Sequence, residues 1–324
     1  MSRIERFLLD AEKRLLPGQA EKRAQEARYI KLSADRKIAD QKSIAYLAEL
    51  PLPSKEIPIQ SLDDQNETTI QIFPVDERSS TALIIPGFDS TGQSHKYDWL
   101  IAELNRHGVS VARVNNQPHL DLDPSGFSSS DEYTASHQEI YLAYMTRHFQ
   151  RIAAFLSEKN QLDSEQLHVI ASSAAAPAAL ALHQLFEPIP QSMVLLGPSG
   201  DIDFKHVEHG INTFVQDGQR QIVTVAGQYD SFRKVEPFVR LNEMARSLPN
   251  VSVAVVASAE HDLRDENIKY LGSEKIDERT TRIFSEPAGG IIQLAIHREC
   301  LKALGFPTDH FDEIAGEYPY VNEL

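Results

Sequence analysis

The sequence predicts an α/β protein in which helices cover both faces of a mostly parallel sheet. Six short apolar runs, the first at residues 81–85, alternate with longer segments that have the length and pattern of helices. Each run is short enough for a strand and apolar enough to be buried on both sides. Strands that alternate with helices at this spacing indicate a parallel sheet with helices on both faces.

Composition narrows the class of protein further. The 324 residues are 41% hydrophobic and 24% charged, and their formal net charge is −15. So acidic a surface argues against nucleic acid or an anionic membrane as a partner. No apolar run is long enough to span a bilayer, and the charged start of the chain lacks a signal-peptide core. The single cysteine, Cys300, excludes an internal disulfide and is best explained by packing. We therefore expect a cytoplasmic protein.

The first element is a helical arm over residues 1–50, which Pro17-Gly18 divides into a short and a longer helix. Apolar residues of the first helix could form one face. Amphipathic helices usually pack on their own domain, so we favour an arm packed against the rest of the chain. The alternatives are a flap over the site or a contact between two copies in a homodimer.

The strands and helices follow in order. Glu56–Ser61 and Thr68–Phe73 alternate in the manner of a hairpin at a sheet edge. The buried strands are predicted at Thr81–Ile85, Val109–Val114, Leu167–Ala171, Ser192–Leu196, Gln221–Ala226 and Val251–Val256. Helices are predicted at Asp98–Arg106, Ser136–Leu156 and Val235–Ser247, and directly after the third buried strand.

Domain boundaries follow from these elements. We predict the arm at 1–50 and one domain at 51–324, with a core at about 81–271 and a tail at 272–324. The tail from Asp265 onward is predicted as helical and then polar. Between the fourth and fifth buried strands, residues 197–220 have room for one small helix, which predicts a short lid.

The most informative motif is the turn after the third buried strand. The strand at 167–171 ends in two serines, and a helix-like run of alanines follows. The motif is small-x-Ser-x-small, with Ser173 in the middle and Ala171 and Ala175 at the small positions. Small flanking residues are needed where a strained nucleophile lies close to both strand and helix. The alternative nucleophile, Ser172, would have the bulky Ile170 as a flank, so we favour Ser173.

An aspartate and a histidine follow later strands, and with Ser173 they stand in the order of one known catalytic triad. Asp230 comes after the fifth buried strand and His261 after the sixth. Ser, then Asp, then His is the order found in α/β-hydrolases. The imidazole would take the serine proton and the carboxylate would orient the imidazole. Asp201 and Asp203, after the fourth strand, are the alternative acids.

An acyl-transfer site also needs two donors for the oxyanion. The residue after the nucleophile, Ala174, would supply one backbone N–H, and Phe88, in the loop after the first buried strand, would supply the other. Gly87 allows that loop to come close to the substrate. His206 and His209 have helical i, i+3 spacing, but no third ligand is in register, so we predict neither a metal nor a cofactor.

On these residues the stretch from about Thr81 to Leu271 resembles an α/β-hydrolase core. Within that superfamily the chain is most similar to the acyl-transferase thioesterases of bacterial luminescence systems. The matching features are Gly87-Phe88, Ser125-Gly126, Asp131-Glu132-Tyr133-Thr134, the elbow without glycines, and His261-Asp262-Leu263 with Glu266-Asn267 behind it. The loop Asn115–His119 and the arm depart from that family.

The resemblance implies a serine hydrolase that cleaves a fatty acyl thioester through an acyl-enzyme on Ser173. The substrate would be a small acyl compound, free or bound to a carrier. A small-molecule carboxylesterase is the alternative enzyme. A protein that keeps the fold only to bind a partner is the alternative outside catalysis, although the order Ser, Asp, His argues against it.

Overall fold

The computed structural model describes residues 19–51, 60–61, 69–76, 80–87, 95–115, 129–158, 166–198, 202–227, 243–256, 259, 270–275, 281–285 and 290–323. Of the predicted site residues, Phe88, Asp230, His261 and Asp201 lie outside them, as do residues 1–18 of the arm.

Nine strands of the described chain form one sheet in the order β1-β2-β4-β3-β5-β6-β7-β8-β11. The strands are β1 Gln60–Ser61, β2 Thr69–Phe73, β3 Ser80–Ile85, β4 Val109–Asn115, β5 Leu167–Ser172, β6 Ser192–Leu196, β7 Gln221–Gly227, β8 Val251–Val256, and β11 Val321–Glu323. The six strands from β4 to β8 are parallel, whereas β1, β2 and β11 pair antiparallel at the two edges. A separate antiparallel pair comprises β9 Tyr270–Lys275 and β10 Thr281–Ser285.

Seven α-helices lie wholly within the described chain. They are α1 Gln19–Glu49, α2 His95–Arg106, α3 Ser130–Glu158, α4 Ala175–Ala181, α5 Phe204–Phe214, α6 Gly290–Ala303 and α7 Asp309–Ala315. None of them combines the length and apolar character that crossing a bilayer would require.

Buried side chains fill the space on both faces of the sheet. Neighbouring residues of a strand point to opposite faces, and on β3 Ile84 belongs to one core cluster and Ile85 to the other. The first cluster also contains residues of α1, α2, α6 and α7, and the second contains residues of α3, α4 and α5. A parallel sheet covered by helices on both faces, with this strand order and an antiparallel hairpin at one edge, is the α/β-hydrolase fold. The predicted fold class is confirmed.

Helix α1 packs through one face against α6 and α7. Ala39, Ser43 and Leu47 on that face are buried. The carboxylate of Asp40 accepts a hydrogen bond of 3.1 Å from the backbone N–H of Ile291, in the first turn of α6. Gly290 is needed beside it, because a Cβ there would lie 2.7 Å from the backbone nitrogen of Ile44. The second half of α1 is therefore fixed to the domain.

The tail differs from the sequence prediction. The prediction is helical and then polar, and α6 and α7 agree with its helical part. However, β9 and β10 precede those helices and β11 follows them. Strand β11 joins the main sheet by pairing with β8, so the last part of the described chain belongs to the core fold.

The connection between β6 and β7 is short. Its described residues contain one helix, α5, which begins after Asp203. The Asp203 carboxylate accepts a hydrogen bond from the backbone N–H of Lys205 and satisfies a donor at the helix start. Residues 202–220 thus hold one small helix, as predicted.

Candidate active site

The carboxyl ends of the six parallel strands lie side by side along one end of the sheet. Sites in open α/β sheets form at this end. Strand β5 lies near the middle, between β3 and β6. The two serines of the predicted motif stand where β5 ends and the chain turns towards α4. Ser172 is the last residue of the strand and Ser173 is the first residue beyond it.

Ser173 occupies a strained backbone conformation. Its φ is 49°, and among the described residues it is the only non-glycine residue with a positive φ. Such a conformation costs of order 1–3 kcal/mol and persists only where the surroundings enforce it. Here the Ser173 N–H donates to the carbonyl of Leu196 at 2.8 Å, and its own carbonyl accepts from the Ala176 N–H at 3.1 Å. These two bonds tie the turn to the end of β6 and to the start of α4.

Gly87 lies directly against Ser173. The parallel register pairs Ile85 of β3 with Ala171 of β5, so the residues two positions later also come together. A Cβ on Gly87 would lie 2.7 Å from the Cβ of Ser173 and 3.2 Å from the carbonyl oxygen of Ser172. No side chain fits there without a shift. The loop predicted to supply an oxyanion donor therefore begins in contact with the predicted nucleophile.

The two serines differ in their surroundings. Ser172 is only 5% exposed, and its hydroxyl oxygen lies 2.8 Å from that of Tyr97, with which it shares a hydrogen bond. Ser173 is half-buried. A hydroxyl inside the core and bonded to a tyrosine cannot reach a substrate, whereas a half-buried hydroxyl at the strand end can. This difference favours Ser173 over Ser172 as a nucleophile.

Ala174 is the one predicted oxyanion donor that lies within the described chain, and its carbonyl group has a partner on α3. The hydroxyl of Tyr141, a buried residue of α3, donates to the carbonyl oxygen of Ala174 at 3.1 Å. Because that bond uses the carbonyl, it leaves the Ala174 N–H for another acceptor. Neither Tyr97 nor Tyr141 is predicted from the sequence as part of the site, since each occupies an ordinary apolar position of its helix. The only available signal is that a buried tyrosine hydroxyl needs a partner.

Of the alternative acids, Asp203 is described. It caps α5 through the Lys205 N–H, and its second carboxylate oxygen lies 3.0 Å from the Lys205 ammonium. The backbone hydrogen bond, with help from the ammonium, holds the pKa of Asp203 below its usual value. A carboxylate already engaged in this way is a poor choice for orienting a histidine.

Two buried histidines of the described chain have structural partners. Nδ1 of His168, near the amino end of β5, lies 2.8 Å from the Ser192 hydroxyl, and burial lowers the pKa of His168 to about 4. Nδ1 of His183 lies 2.8 Å from the Leu180 carbonyl, and burial lowers its pKa as well. Neither follows the carboxyl end of a strand, so neither is placed to serve Ser173.

Metal ligation finds no support in the described part of the chain. No group of three or more histidine, cysteine or carboxylate side chains there could hold an ion. His206 and His209 both lie on α5, without such a group around them.

The likeness of this chain to known proteins is in its structure. No family model matches the chain. No curated protein matches it by sequence. Among solved structures, the chain is similar to a predicted CIB-like hydrolase from Thermoplasma acidophilum, with 12% identity, a TM-score of 0.43, and coverage of 64% of this chain and 89% of that one.

Two further solved structures show a similar level of likeness. A dienelactone hydrolase from Anabaena variabilis has 13% identity and a TM-score of 0.46, with 65% of this chain and 89% of that one covered. An α/β serine hydrolase without a lid from Xanthomonas campestris has 15% identity and a TM-score of 0.40, with 65% and 88% covered.

Proposed function

We propose that this chain is a serine hydrolase that transfers an acyl group from a thioester or ester to water. Ser173 is the nucleophile and His261 the general base. Asp230 orients the imidazole, and the backbone N–H groups of Phe88 and Ala174 hold the oxyanion.

The conformation of Ser173 carries the proposal. A strained serine at a strand-to-helix turn is what a nucleophile elbow requires, because the turn lifts the hydroxyl above the edge of the sheet. Strain of this size is unexpected at a serine that only caps a helix, and α4 has no side-chain cap from its Ala174 position. The contact between Gly87 and Ser173 is the second supporting observation. It brings the loop that leads to Phe88 beside the Ser173 hydroxyl.

The strand order supports the roles proposed for Asp230 and His261. Asp230 comes three positions after Gly227, the end of β7, and His261 five positions after Val256, the end of β8. Strands β7 and β8 are neighbours, so the acid and the histidine start from adjacent points on the same edge. Strand β8 is three strands from β5, or about 14 Å at the usual strand spacing. Five extended residues span about 17 Å, which is enough to reach Ser173.

The chemistry proceeds in two steps. The Ser173 oxygen attacks the acyl carbonyl carbon while His261 takes its proton, and the negative charge on the carbonyl oxygen is held by the two N–H groups. The carbon–sulfur or carbon–oxygen bond then breaks, and the imidazolium returns the proton to the leaving group. Water, deprotonated by His261, attacks the acyl-enzyme, and Ser173 regains its proton.

An acyl thioester, free or bound to a carrier, is our first choice of substrate because of the resemblance to the luminescence thioesterases. A carboxylic ester of a small metabolite is the second. The short connection between β6 and β7 leaves room for either, since its described residues hold only one small helix.

The decisive experiment measures hydrolysis of p-nitrophenyl esters and acyl-CoA thioesters from C2 to C16, with Ser173→Ala as the blank. We expect turnover of the thioesters to exceed that of the esters, and Ser173→Ala to lower kcat by about 10³-fold or more. Turnover confined to short esters would favour the carboxylesterase. No turnover by a folded protein would favour the non-catalytic alternative.

A fluorophosphonate probe, which reacts only with an activated serine, tests the nucleophile directly. Ser172→Ala is the matched control because it removes the neighbouring hydroxyl. We expect labelling of the wild type and of Ser172→Ala, and none of Ser173→Ala. The reverse pattern would show that Ser172 is the nucleophile.

A further inference from the structure

The peptide groups on either side of Ala174 are both held by hydrogen bonds. The carbonyl oxygen of the first group belongs to Ser173 and accepts from the Ala176 N–H at 3.1 Å. The carbonyl oxygen of the second belongs to Ala174 itself and accepts from the Tyr141 hydroxyl at 3.1 Å. Each peptide group is planar, so only the φ and ψ of Ala174 join the two. With both groups held, neither angle is free to change.

The N–H of Ala174 belongs to the first of these peptide groups. In a trans peptide the N–H points opposite to the carbonyl. The Ser173 carbonyl points to Ala176, in the first turn of α4, so the Ala174 N–H points away from that helix. The proposed function assigns this N–H to the oxyanion, and such a donor must point at one fixed position.

The elbow needs an outside support because its own structure resists rotation only weakly. The strain at Ser173, whose φ is 49°, would relax by rotation of the peptide group that follows it. Helix α4 has only seven residues, and so short a helix is marginally stable by itself. A hydrogen bond from a different helix opposes that rotation at the next carbonyl.

Tyr141 provides a rigid support of this kind. Its side chain is fully buried, in the same core cluster as Ala171, Ala174 and Ala175. Packing alone does not require the hydroxyl, since Phe149 on the same helix is equally buried in this cluster without one. A buried hydroxyl is costly unless it is hydrogen-bonded, and here the bond goes to the elbow.

We propose that Tyr141 is a positioning residue for the oxyanion. Its hydroxyl holds the Ala174 carbonyl, and thereby the Ala174 N–H, in the orientation that the tetrahedral intermediate requires. This role rests on the function proposed for Ser173. Because the hydroxyl acts through the backbone of Ala174, its loss should weaken the binding of the charged intermediate and leave the binding of the substrate unchanged.

Steady-state kinetics of Tyr141→Phe, on the best substrate of the ester and thioester panel, measure this effect. The variant keeps the ring in the core and removes one oxygen atom. We expect kcat to fall by about tenfold with KM unchanged. The loss is smaller than the roughly 10²- to 10³-fold loss for a deleted oxyanion donor, because the N–H itself remains. The endpoint of fluorophosphonate labelling counts the folded sites, so kcat is expressed per competent site.

An acyl trifluoromethyl ketone tests the oxyanion directly, because it forms a stable analogue of the tetrahedral intermediate. The Ser173 oxygen adds to the ketone carbon, the serine proton passes to His261, and the ketone oxygen becomes the oxyanion without loss of any leaving group. We expect the inhibition constant to rise about tenfold in Tyr141→Phe, in parallel with the fall in kcat. A contribution to stability alone would leave this constant unchanged.

Tyr46→Phe is the matched control. The Tyr46 hydroxyl donates to the carboxylate of Glu103, a buried residue of α2, at 2.7 Å. Glu103 lies in the last turn of α2, which leads to the amino end of β4, away from the candidate site. The substitution removes the same atom from a half-buried tyrosine. It should lower the free energy of unfolding and leave both kcat and the inhibition constant at their wild-type values.

The other outcomes would overturn the positioning role. Equal kcat and inhibition constants in the wild type and in Tyr141→Phe would show that the N–H is held without the hydroxyl, while the function proposed for Ser173 would stand. A raised KM with unchanged kcat would place the effect in substrate binding. A tenfold loss of kcat in Tyr46→Phe as well would trace it to stability. No turnover and no labelling of the folded wild type would remove the proposed function, and the positioning role with it.

Discussion

At the scale of single residues, the position of Ser173 could be predicted, but not what holds it there. The small-x-Ser-x-small pattern around it indicates a sharp turn, and the positive φ agrees with that prediction. The contact with Gly87 depends on the register between β3 and β5, which are far apart in the sequence. The residue pattern of either strand alone does not show how the two strands are aligned. The roles of Asp230, His261 and Phe88 remain predictions, because these residues lie outside the described chain.

Gly87→Ala tests the close contact at the elbow. The added methyl group would lie 2.7 Å from the Ser173 Cβ, so the hydroxyl or the loop must move. We expect kcat/KM to fall by about 10- to 100-fold, since small displacements of reacting groups are costly. We also expect the free energy of unfolding to fall by about 1–3 kcal/mol from overpacking. Kinetics and urea unfolding provide the two measurements.

Gly218→Ala is the control for this substitution. Gly218 has a φ of 72° but open space around its Cβ position. It lies just before the amino end of β7, whereas the site lies at the carboxyl ends of the strands. That variant should lose stability and keep its kcat/KM. Full activity of Gly87→Ala would contradict a tight contact at the elbow.

At the scale of secondary-structure elements, the long apolar runs were predicted well and the short polar strands were not. The bounds of β6 and β8 agree with the prediction. Strand β9 contains Gly, Ser, Glu and Lys, and β11 is three residues long with one apolar member. Such segments lack the alternation that signals a strand, and their pairing partners decide their structure. The start of α3 at Ser130, six positions before the predicted start, shows the usual uncertainty of helix ends.

Gly290→Ala tests the packing of α1 on α6. A Cβ at Gly290 would lie 2.7 Å from the Ile44 nitrogen and 3.1 Å from the Asp40 carbonyl oxygen, and the backbone of α1 cannot yield easily. We expect the two helices to separate slightly. Amide hydrogen exchange within residues 39–47 should then accelerate by more than about tenfold, because each 1.4 kcal/mol of local stability is a factor of ten.

Gly316→Ala is the control for the helix contact. Gly316 has a φ of 64° and nothing near its Cβ position, so its substitution adds backbone strain without touching α1. Exchange in α1 should stay close to that of the wild type. Equal exchange in α1 for both variants would show that Gly290 does not set the distance between the helices.

At the scale of the whole molecule, the protein buries neutral histidines within its core. His168 and His297 are both buried, and burial lowers their pKa values to about 4 and about 3. In the unfolded chain both would titrate near pH 6.5. Between pH 6.5 and pH 4 the unfolded chain thus binds two protons that the folded chain does not.

Stability should therefore fall as the solution becomes more acidic. From about pH 6.5 downward, each of the two histidines should remove up to about 1.4 kcal/mol per pH unit from the free energy of unfolding. The contribution of His168 ends near its folded pKa of about 4. Urea unfolding between pH 5 and pH 7 measures the slope.

His168→Asn should reduce that slope by about one proton. An unchanged slope in His168→Asn would contradict a neutral His168 in the folded protein.

The place of β3 in the sheet has a consequence for the kinetics of folding. It lies between β4, which follows it closely in the chain, and β5, where Thr81 pairs with Leu167. Closing so long a loop before its contacts form is slow, so we expect folding to take milliseconds or longer. Until β5 arrives, one apolar edge of β3 stays open to pairing with other chains. Aggregation during refolding should therefore begin at β3, and dilution should suppress it.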